Sequence, residues 1–525
     1  MMPIALCVLV ASCVFALEAL IPVHSPCNAL LISPSLVGFS IEQDRWTDWV
    51  GTTNRNEFFY NTLTNLKHLT GKAPPIRIGA CDHTNFNAAV QFSEALFPPP
   101  TSQVPYPQAL NVTAGDGYYM TVRHLPPGTE VTVGVNFGQS NITAAVLEAH
   151  SLARAFRSAS VVRANITLEF VEIGNEADQY ALKGLRHPSF SFKAYMREWL
   201  RFSREVIKAA QITETSRTKL LSGSFLSSTH SVLGFSPQAV LKSSVFNTEV
   251  GPLITAFSQH HYSGSFCSGN GGILQDLMNK IHIRGNLSAF IPDMVAMARH
   301  GLDYVIGETN SYACHGAAGI SNTAGAALWA LDYLLYAGKL GVSRVYFHQG
   351  IGYKYNAIQP VHLYRSTING EPFMPPQPPH IQPMYYAAAI ASEAIGPTGA
   401  TTIIELDIDH PFLAGYAFFE RGTLVRAILI NSHAFWAGDV EREEVRLQLR
   451  STHDHWLRPK NMVVKRLYMR GVNETTGLRW GGQTYETRSG KIGGRLRTEL
   501  LPVEEDLVIR QSEAIMLSFR YEGSN

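Results

Sequence analysis

The chain has 525 residues, several times the ~150 residues of a typical domain, so a large core and more than one folding unit are expected. Hydrophobic residues make up 45% of the chain and charged residues 16%, a composition that excludes a mostly disordered protein. The 43 Lys and Arg residues balance 42 Asp and Glu residues, and no run of like charges stands out. A surface that binds nucleic acid is therefore not expected.

The first segment of the chain has the pattern of a secretory signal peptide. Residues 3–16 are almost wholly apolar, so we expect removal of residues 1–19, with cleavage after Ala16 or Ala19. A membrane anchor is the alternative, but ~14 apolar residues are fewer than the ~20 that span a bilayer. Five sequons agree with secretion and predict glycosylation at Asn111, Asn141, Asn165, Asn286 and Asn473. The protein is expected to be extracellular and, without the signal peptide, free of the membrane; its oligomeric state stays open.

Of the six cysteines, two lie within the predicted signal peptide, and the other four are Cys27, Cys81, Cys267 and Cys314. In an oxidising compartment these four allow three pairings, and free thiols are the alternative. No C-x-x-C or H-x-x-x-H spacing accompanies them, so a zinc site is not expected. We expect no metal and no organic cofactor.

Eight short apolar runs alternate with segments of helical period. The runs are 37–42, 76–79, 131–136, 168–173, 220–224, 256–262, 304–307 and 344–348. Amphipathic stretches follow several of them, notably 144–156, 192–209 and 323–340. Eight such units predict a (β/α)8 TIM barrel. An open, doubly wound sheet is the alternative, but neither nucleotide-binding glycine motif is present.

The pattern changes after Pro397, where strand-like runs succeed one another with few helical segments between them. This predicts a C-terminal β-sandwich over residues 396–525. Residues 20–395 are assigned to the barrel, with an N-terminal segment that is able to join the sandwich. Six prolines within residues 372–383 exclude a regular helix there and predict an extended excursion before a last barrel helix at 384–394.

Two acidic residues follow apolar runs at the predicted mouth of the barrel. The fourth run ends in Asn175 and Glu176, and the seventh ends in Glu308. Active sites of such barrels lie at the carboxyl ends of the strands, and two facing carboxylates suit glycoside hydrolysis. The alternative for each glutamate is a buried ion pair or the cap of a following helix.

Three motifs together resemble glycoside hydrolase family 79. They are I-G-N-E in the fourth unit, G-E-T-N-S with the following G-I-S-N-T-A-G-A-A-L-W-A-L-D, and Y-F-H-Q-G-I-G-Y-K-Y-N in the eighth unit. The similarity runs from about Phe39 to the C-terminus and is nearer to the family's secreted fungal β-glucuronidases than to its heparanases. It implies a clan A barrel with a β-sandwich, and retaining hydrolysis of β-linked glucuronic acid.

The resemblance also implies roles for individual residues. Glu176 would be the general acid/base and Glu308 the nucleophile, kept apart in pKa by their environments. Asn175 would hold the sugar's 2-hydroxyl, Tyr262 would donate a hydrogen bond to Glu308, and His261 would also face the site.

Two further residues near the predicted site have alternative interpretations. His260 is interpreted as a core histidine or as one that supports a residue of the site from behind, because successive strand residues point to opposite faces. Arg77 either supports Glu308 or forms a structural ion pair.

A uronic acid requires hydrogen-bond donors around its carboxylate. The family supplies them from the loops after strands seven and eight, here residues 311–316 and 350–356. The candidates are Tyr312, the backbone at Gly352, and the side chains of Tyr353, Lys354 and Tyr355.

Other polar residues at strand ends are candidates for binding sugar hydroxyls. They are Ser40, Glu42, Asp82, His83, Asn136 and Gln349. Turn chemistry or hydrogen bonds inside the barrel are the alternative for each of them. Cys267 follows strand six and Cys314 follows strand seven, so their loops are neighbours and a disulfide between them is expected to stiffen the pocket.

We therefore predict a retaining exo-β-glucuronidase that releases terminal glucuronic acid, or its 4-O-methyl form, from glycans such as arabinogalactan side chains. A heparanase-like endo-β-glucuronidase is one alternative, although the net charge of +1 does not favour a long basic cleft. An exo-glycosidase for a neutral sugar and a non-catalytic sugar-binding protein are the others.

Overall fold

The computed structural model describes residues 17–79, 82–226, 230–451 and 458–521. Most of the predicted signal peptide, and Cys81, lie outside the described residues. The described chain forms a closed barrel and a second unit built from two β-sheets. Within these residues, no helix is long and apolar enough to cross a membrane.

Eight parallel strands close the barrel in chain order. Each strand pairs with the next one along the chain, and the last pairs with the first. The strands are β1 (Val37–Glu42), β2 (Ile76–Gly79), β3 (Glu130–Val135), β4 (Thr167–Ile173), β5 (Lys219–Phe225), β6 (Ile254–Ser265), β7 (Asp303–Ala313) and β8 (Arg344–Gln349). Every predicted apolar run overlaps one of them, and the predicted (β/α)8 barrel is confirmed.

Inside the barrel, apolar and polar side chains occupy different positions along the strands. An apolar cluster inside the barrel contains Phe170, Leu221, Ala256, Val305 and Tyr346. Polar residues follow a few positions later on the same strands, so they meet at the carboxyl ends, where barrel enzymes hold their active sites.

Helices surround most of the barrel. The α-helices are Trp46–Val50, Glu57–Thr70, Asp116–Met120, Ile142–Arg157, Ala159–Arg163, Phe192–Ala210, Pro237–Lys242, Leu274–Met278, Lys280–Ser288, Ile291–Arg299, Ala324–Lys339 and Met384–Ile395. The predicted helices at 144–156, 192–209, 323–340 and 384–394 are thereby confirmed. In Phe192–Ala210, Tyr195, Trp199 and Phe202 are buried along one face, and the Ser191 side chain caps the first turn.

The segment that follows β2 departs from the regular alternation of strand and helix. Between β2 and β3 the chain builds a three-stranded sheet from Thr84–Phe86, Ser93–Leu96 and Asn111–Ala114 before the short helix Asp116–Met120. This insertion carries residues that reach the mouth of the barrel, which the sequence pattern did not reveal.

The sandwich consists of two packed sheets with their own apolar core. The larger sheet contains Leu30–Leu31, Thr401–Glu405, Leu413–Glu420, Thr423–Asn431, Glu513–Arg520, Asn461–Tyr468, Arg479–Trp480 and Glu499–Pro502. The smaller sheet contains Leu17–Ile21, Glu444–Ser451 and Leu507–Arg510. The N-terminal segment thus supplies one strand to each sheet.

The proline-rich excursion is extended, as its composition predicts. Pro372–Gln377 pairs with Leu363–Arg365, and His380–Ile381 pairs with Ile358–Gln359. These two short ribbons lead the chain from the loop after β8 to the helix Met384–Ile395.

Arg284 links the barrel to the sandwich. Its Nη1 donates to Asp332 Oδ2 at 2.5 Å in the barrel helix Ala324–Lys339, and its Nε donates to Glu405 Oε1 at 2.9 Å in the sandwich. The Tyr416 hydroxyl of the sandwich accepts from Arg284 Nη2 at 2.8 Å and donates to Asp332 at 2.5 Å. The two units are therefore joined by a largely buried, fully paired polar network.

Replacing Arg284 with Met is expected to lower the free energy of unfolding by about 2–4 kcal/mol, because it leaves Asp332 buried without its cation. Chemical denaturation measures this. The exposed Arg299→Met, on the adjacent helix Ile291–Arg299, is the control and should change stability by less than about 0.5 kcal/mol. Equal effects of the two variants would contradict the assigned role of Arg284.

Candidate active site

The two predicted catalytic glutamates face each other at the mouth of the barrel. Glu176 follows the end of β4, and Glu308 lies within β7. One carboxylate oxygen of each, and a ring nitrogen of His260, all lie within 4.8 Å of one another. Retaining glycosidases hold their carboxyl groups ~5–5.5 Å apart, whereas inverting enzymes leave ~6.5–9.5 Å for a water molecule. The spacing is that of a retaining pair.

A left-handed turn aims Glu176 into the mouth. Gly174 and Glu176 have φ of 86° and 55°, and Glu176 is not a glycine, so its backbone adopts a conformation that costs free energy. The backbone N–H of Glu176 donates to the carbonyl of Ser224 on β5 at 2.8 Å, which holds the turn in place.

Arg77, on β2, lies beneath the catalytic pair and is completely buried. Its guanidinium donates to Glu308 Oε2 at 2.8 Å, to both oxygens of Glu172 at 2.6 and 2.9 Å, and to Asn175 Oδ1 at 2.6 Å. A further bond of 2.8 Å reaches the Ser40 hydroxyl. Both roles considered for Arg77 hold together: it forms a structural ion pair with Glu172 and a contact with Glu308.

Glu308 is held in its ionised form. Besides Arg77, the Tyr262 hydroxyl donates to Oε1 at 2.8 Å, and His348 Nδ1 lies 3.8 Å from Oε2. Burial alone raises the pKa of Glu308, but the charges of His348, His260 and Arg77 and the bond from Tyr262 bring this pKa well below its ordinary value. An ionised carboxylate is the form that can attack an anomeric carbon.

Glu176 has two donors, one for each oxygen. Lys183 Nζ lies 2.9 Å from Oε2, and His260 Nδ1 lies 3.2 Å from Oε1. Burial raises the pKa of Glu176, and so does the charge of Glu308, but the bond from His260 and the charge of Lys183 bring this pKa below its ordinary value. Both glutamates therefore have lowered pKa values.

A cavity of about 770 Å³ opens above the pair, within the size range of small-ligand pockets. Among the predicted site residues, those that line it are Glu42, Asp82, His83, Asn175, Glu176, Tyr262, Cys267, Glu308, Cys314 and Tyr355. The carboxamide oxygen of Asn175 is occupied by Arg77, so its NH2 group is the end available to a sugar hydroxyl.

Three predicted sugar ligands are also tied to other residues of the site. Ser40 contacts Arg77 and does not line the cavity. Glu42 bonds with His348 Nε2 at 3.0 Å and accepts a short hydrogen bond from Gln108. Asp82 accepts from the backbone N–H of Asn175 at 3.0 Å and from the Tyr180 hydroxyl. Ser40 thus acts beneath the site, whereas Glu42 and Asp82 keep faces toward the cavity.

Of the two adjacent histidines on β6, His260 is buried and supports a residue of the site, as one of its interpretations expects, whereas the prediction that His261 faces the site is wrong. His260 bonds with Glu176, whereas His261 Nδ1 contacts the Tyr333 hydroxyl at 2.9 Å and its ring stacks on Tyr333 in the helix layer. Alternation explains this result, since Tyr262 points to the cavity and residues two apart share a face. His261 therefore lies outside the substrate site.

Tyr312 also lies outside the cavity. Its ring covers Gly264 and its hydroxyl approaches Gly272, where neither glycine leaves room for a Cβ. It lines a separate cavity with Asp276 and Trp329 instead. The prediction that Tyr312 binds the sugar carboxylate is therefore wrong.

The predicted ligands in the loop after β8 differ in whether they reach the cavity. The backbone N–H of Gly352 donates to Gln359 Oε1 at 3.1 Å, so it does not serve a ligand. The Tyr353 ring is buried and stacks on His315 at 3.9 Å, while Tyr355 lines the cavity beside Tyr262. Of the three aromatic or amide candidates, only Tyr355 reaches the substrate space.

Lys354 is a buried cation of this loop, with 3% of its surface exposed. Its Nζ lies 5.7 Å from the centre of the Phe266 ring, and its backbone N–H donates to the His315 carbonyl at 2.8 Å. Both of those neighbours line the cavity. Burial lowers the pKa of Lys354, and among the described residues its ammonium forms no ion pair.

A disulfide joins Cys267 and Cys314, with a Cα–Cα distance of 5.1 Å. It ties the end of β6 to the loop after β7, and both half-cystines line the cavity. Cys27 is exposed with a free thiol. The adjacent His315 has φ of 69°, and burial lowers its pKa to about 3, so this ring is neutral.

The remaining predicted residues are distributed over the surface and the loops. Asn136 and Gln349 bind backbone groups around the barrel rim, Nδ2 of Asn136 reaching the Thr84 carbonyl and Gln349 Oε1 accepting from Ala357. Four sequon asparagines are exposed and Asn286 is half-buried; the exposed ones are Asn111, Asn141, Asn165 and Asn473. Glycosylation stays a prediction.

Four residues of the site were not anticipated, and a pattern in the sequence could have found two of them. Glu172 and His348 occupy positions that alternation places inside the barrel, on β4 and β8 respectively. Lys183 and Gln108 come from loops, whose conformation no periodicity predicts.

One group of side chains could hold a metal ion among the residues that the structure describes. It consists of Glu176, His260 and Glu308. Arg77 and Lys183 already place positive charge against both carboxylates, at 2.8 and 2.9 Å. The arrangement therefore suits proton transfer and nucleophilic attack.

A (β/α)8 barrel with two carboxylates at retaining distance defines a glycoside hydrolase. Residues 415–516 match the model of the glycosyl hydrolase family 79 C-terminal beta domain. The chain is 27% identical to a beta-glucuronidase of Aspergillus niger over 487 residues, covering 88% of this chain and 85% of that protein. It is 26% identical to a beta-glucuronidase of Neurospora crassa over 514 residues, covering 91% and 88%. The chain is therefore similar to glycoside hydrolase family 79 in its C-terminal domain and to β-glucuronidases over most of its length.

Solved structures share the complete architecture. A 4-O-α-L-rhamnosyl-β-D-glucuronidase from Fusarium oxysporum superposes with a TM-score of 0.76 at 22% identity, covering 96% of this chain and 100% of that one. A family 51 arabinofuranosidase from Xanthomonas axonopodis pv. citri gives a TM-score of 0.62 at 12% identity, covering 96% and 100%. These likenesses bear on the fold, a barrel with a β-sandwich.

The two adjacent histidines provide a matched test of the site. His260→Leu removes a donor to Glu176 and is expected to raise the pKa of that carboxyl, which moves the basic limb of the kcat/KM profile to higher pH. His261→Leu should leave the profile in place, because its ring packs against Tyr333. Rate measurements across pH check both outcomes, and a shifted limb in His261→Leu alone would contradict the assignment.

Proposed function

We propose that the protein is a retaining exo-β-glucuronidase that releases terminal β-linked glucuronic acid, or its 4-O-methyl form, from glycans such as arabinogalactan side chains. The names of the Aspergillus and Neurospora relatives support the sugar. The observation that carries the reaction is the carboxylate pair within 4.8 Å, with Glu308 ionised by its neighbours.

The first half of the reaction uses Glu308 as nucleophile. Its free carboxylate lone pair attacks the anomeric carbon while Glu176 gives its proton to the glycosidic oxygen, so the bond to the aglycone breaks as an ester bond to Glu308 forms. Tyr262 and Arg77 hold the two oxygens of Glu308 in a fixed orientation. The rigid contacts limit the reorganisation that the attack requires.

The second half reverses the role of Glu176. Now ionised, Glu176 takes a proton from water, and the resulting hydroxide attacks the anomeric carbon and releases Glu308. Two inversions give net retention. The Asn175 NH2 group, positioned by the bond of its oxygen to Arg77, is the donor available for the 2-hydroxyl.

The preference for a uronic acid is supported by Lys354. A buried ammonium without a carboxylate partner is unfavourable, and an anionic ligand removes that cost. The sugar's C5 carboxylate is such an anion. Lys354 itself does not line the cavity, but its neighbours Phe266 and His315 do. A neutral sugar would leave the charge unpaired, which favours the glucuronide over the neutral-sugar alternative.

Secretion is part of the same proposal. The Cys267–Cys314 disulfide and the exposed sequon asparagines are typical of an extracellular protein. Strand Leu17–Ile21 pairs with Glu444–Ser451 in the sandwich, so cleavage after Ala16 keeps this strand whole, whereas cleavage after Ala19 removes part of it. We therefore favour the first of the two predicted sites.

Hydrolysis of p-nitrophenyl β-D-glucuronide tests the proposal, with the β-glucoside and β-xyloside in parallel. Wild type should cleave the glucuronide selectively. Glu176→Gln should lower kcat/KM by a factor of roughly 10²–10⁴, which is the usual contribution of general acid–base catalysis. Glu308→Gln should lower kcat/KM further, because no nucleophile remains. Selective cleavage of a neutral sugar would contradict the proposed substrate, and full activity of Glu308→Gln would contradict the mechanism.

Lys354→Met separates recognition of the carboxylate from catalysis. It is expected to lower kcat/KM for the glucuronide by about 10–100-fold, because a charge-assisted hydrogen bond to the sugar is lost. The small rate on the β-glucoside should not fall, since this sugar has no carboxylate. A parallel fall for both substrates would show instead that Lys354 only supports the loop.

A further inference from the structure

Lys183 stands at the junction between the sugar and its leaving group. It lies in the loop after β4, and half of its side chain is exposed while its Nζ approaches Glu176 Oε2 at 2.9 Å. Since Glu176 must reach the glycosidic oxygen, the ammonium of Lys183 lies next to the position where the leaving group binds. Lys183 also lines the cavity.

This contact favours one half of the reaction and opposes the other. A cation against Oε2 stabilises ionised Glu176, the form that accepts a proton from water. It opposes protonated Glu176, the form that the first half requires. Because His260 contacts the other oxygen, at 3.2 Å, each oxygen of Glu176 already faces a donor while Lys183 stays in place, and these donors favour the unprotonated form.

We propose that Lys183 exchanges partners during the reaction: it leaves Glu176 to pair with an anionic group on the leaving sugar or aglycone, and it returns to Glu176 once that group has departed. The proposal rests on the proposed function, since it takes Glu176 as the acid/base. It makes Lys183 a specificity residue that favours glycans whose leaving part carries a carboxylate or another anion.

The surroundings allow such an exchange for Lys183 and for no other cation beside Glu176 in the described chain. Arg77 is completely buried and held by four side chains. Arg186 pairs with Glu198 and with backbone carbonyls. Among the described residues Lys183 has Glu176 as its hydrogen-bond partner, its side chain is long, flexible and half exposed, and exposed ion pairs are weak enough to break.

Other titratable groups surround the pair formed by Glu176 and Lys183. Glu176 faces Lys183, His260 and Glu308, whereas Lys183 faces Glu176, Asp82 and Glu308. Removing the Lys183 charge leaves Glu176 beside the negative Glu308 with only His260 as a donor. The pKa of Glu176 must then rise.

Two aryl β-glucuronides test the exchange. Their aglycones have matched leaving ability and differ in bearing a carboxylate or a carboxamide. For wild type, kcat/KM is expected to be about fivefold to tenfold higher for the carboxylate substrate than for the carboxamide substrate. This ratio corresponds to one charge-assisted hydrogen bond that is partly screened by solvent. Lys183→Met should lose this preference and Lys183→Arg should retain it.

The control variant is Lys208→Met, which removes an exposed lysine from the last turn of helix Phe192–Ala210. That turn lies at the end of the barrel opposite the site, because the helix runs back along β4. Its kinetics should match those of wild type. Raising the ionic strength should reduce the wild-type preference and leave Lys183→Met unchanged.

The pH profile distinguishes this role from a structural one. With the carboxamide substrate, Lys183→Met should move the basic limb of kcat/KM to higher pH, because Glu176 keeps its proton longer without the cation. A lysine that only supports its loop would lower both rates together and leave the limb in place.

An unchanged carboxylate preference in Lys183→Met overturns the proposal. Failure of the proposed function gives a different result, because wild type would then cleave neither glucuronide. In that case the same two aglycones are attached to the sugar that the enzyme does cleave, and the ratio between them gives the same test of Lys183.

Discussion

The buried guanidinium of Arg77 is the contact on which the active site depends. It ties β2 to β4 through Glu172 and to β7 through Glu308, and it fixes Asn175 and Ser40 as well. A fully buried cation is stable only when its donors are paired, so these acceptors must all be present together. The barrel interior therefore folds stably only when Glu308 is ionised and paired with Arg77. Loss of the carboxylate of Glu172 or Glu308 would leave part of the buried charge of Arg77 uncompensated.

Glu308 and Glu176, the two residues proposed to be catalytic, differ in how permanently their charges are compensated. Glu308 is held by Arg77 and Tyr262, neither of which can move away without breaking a buried network. Glu176 faces Lys183, which is half exposed to solvent. A nucleophile must be ionised when each cycle begins, whereas an acid/base must alternate between two states. The fixed cation and the displaceable cation correspond to these two tasks.

Periodicity predicted the strands and the convergence of Glu176 and Glu308, because barrel strands are short apolar runs and their carboxyl ends meet at the same mouth. It did not predict the loops. The prediction for His261 was wrong although Tyr262 on the same strand fixes the alternation, and a register shift between Gln259 and His260 lies beside it. Tyr312 was misassigned because β7 continues to Ala313, which makes it a strand residue opposite Gly264 and not a loop residue. Gly352 was misassigned because tertiary contacts decide where a loop residue points, and local sequence does not record those contacts.

The central claim is that Glu308 forms a covalent bond to the sugar. A 2-fluoro-substituted β-glucuronide with a good leaving group slows release of this intermediate, and mass spectrometry of the digested protein locates the attached sugar. The account predicts one fluoroglucuronyl group on the peptide that contains Glu308, and none on Glu308→Gln. Attachment to another residue, or turnover that first releases the α-anomer with no adduct, would contradict it.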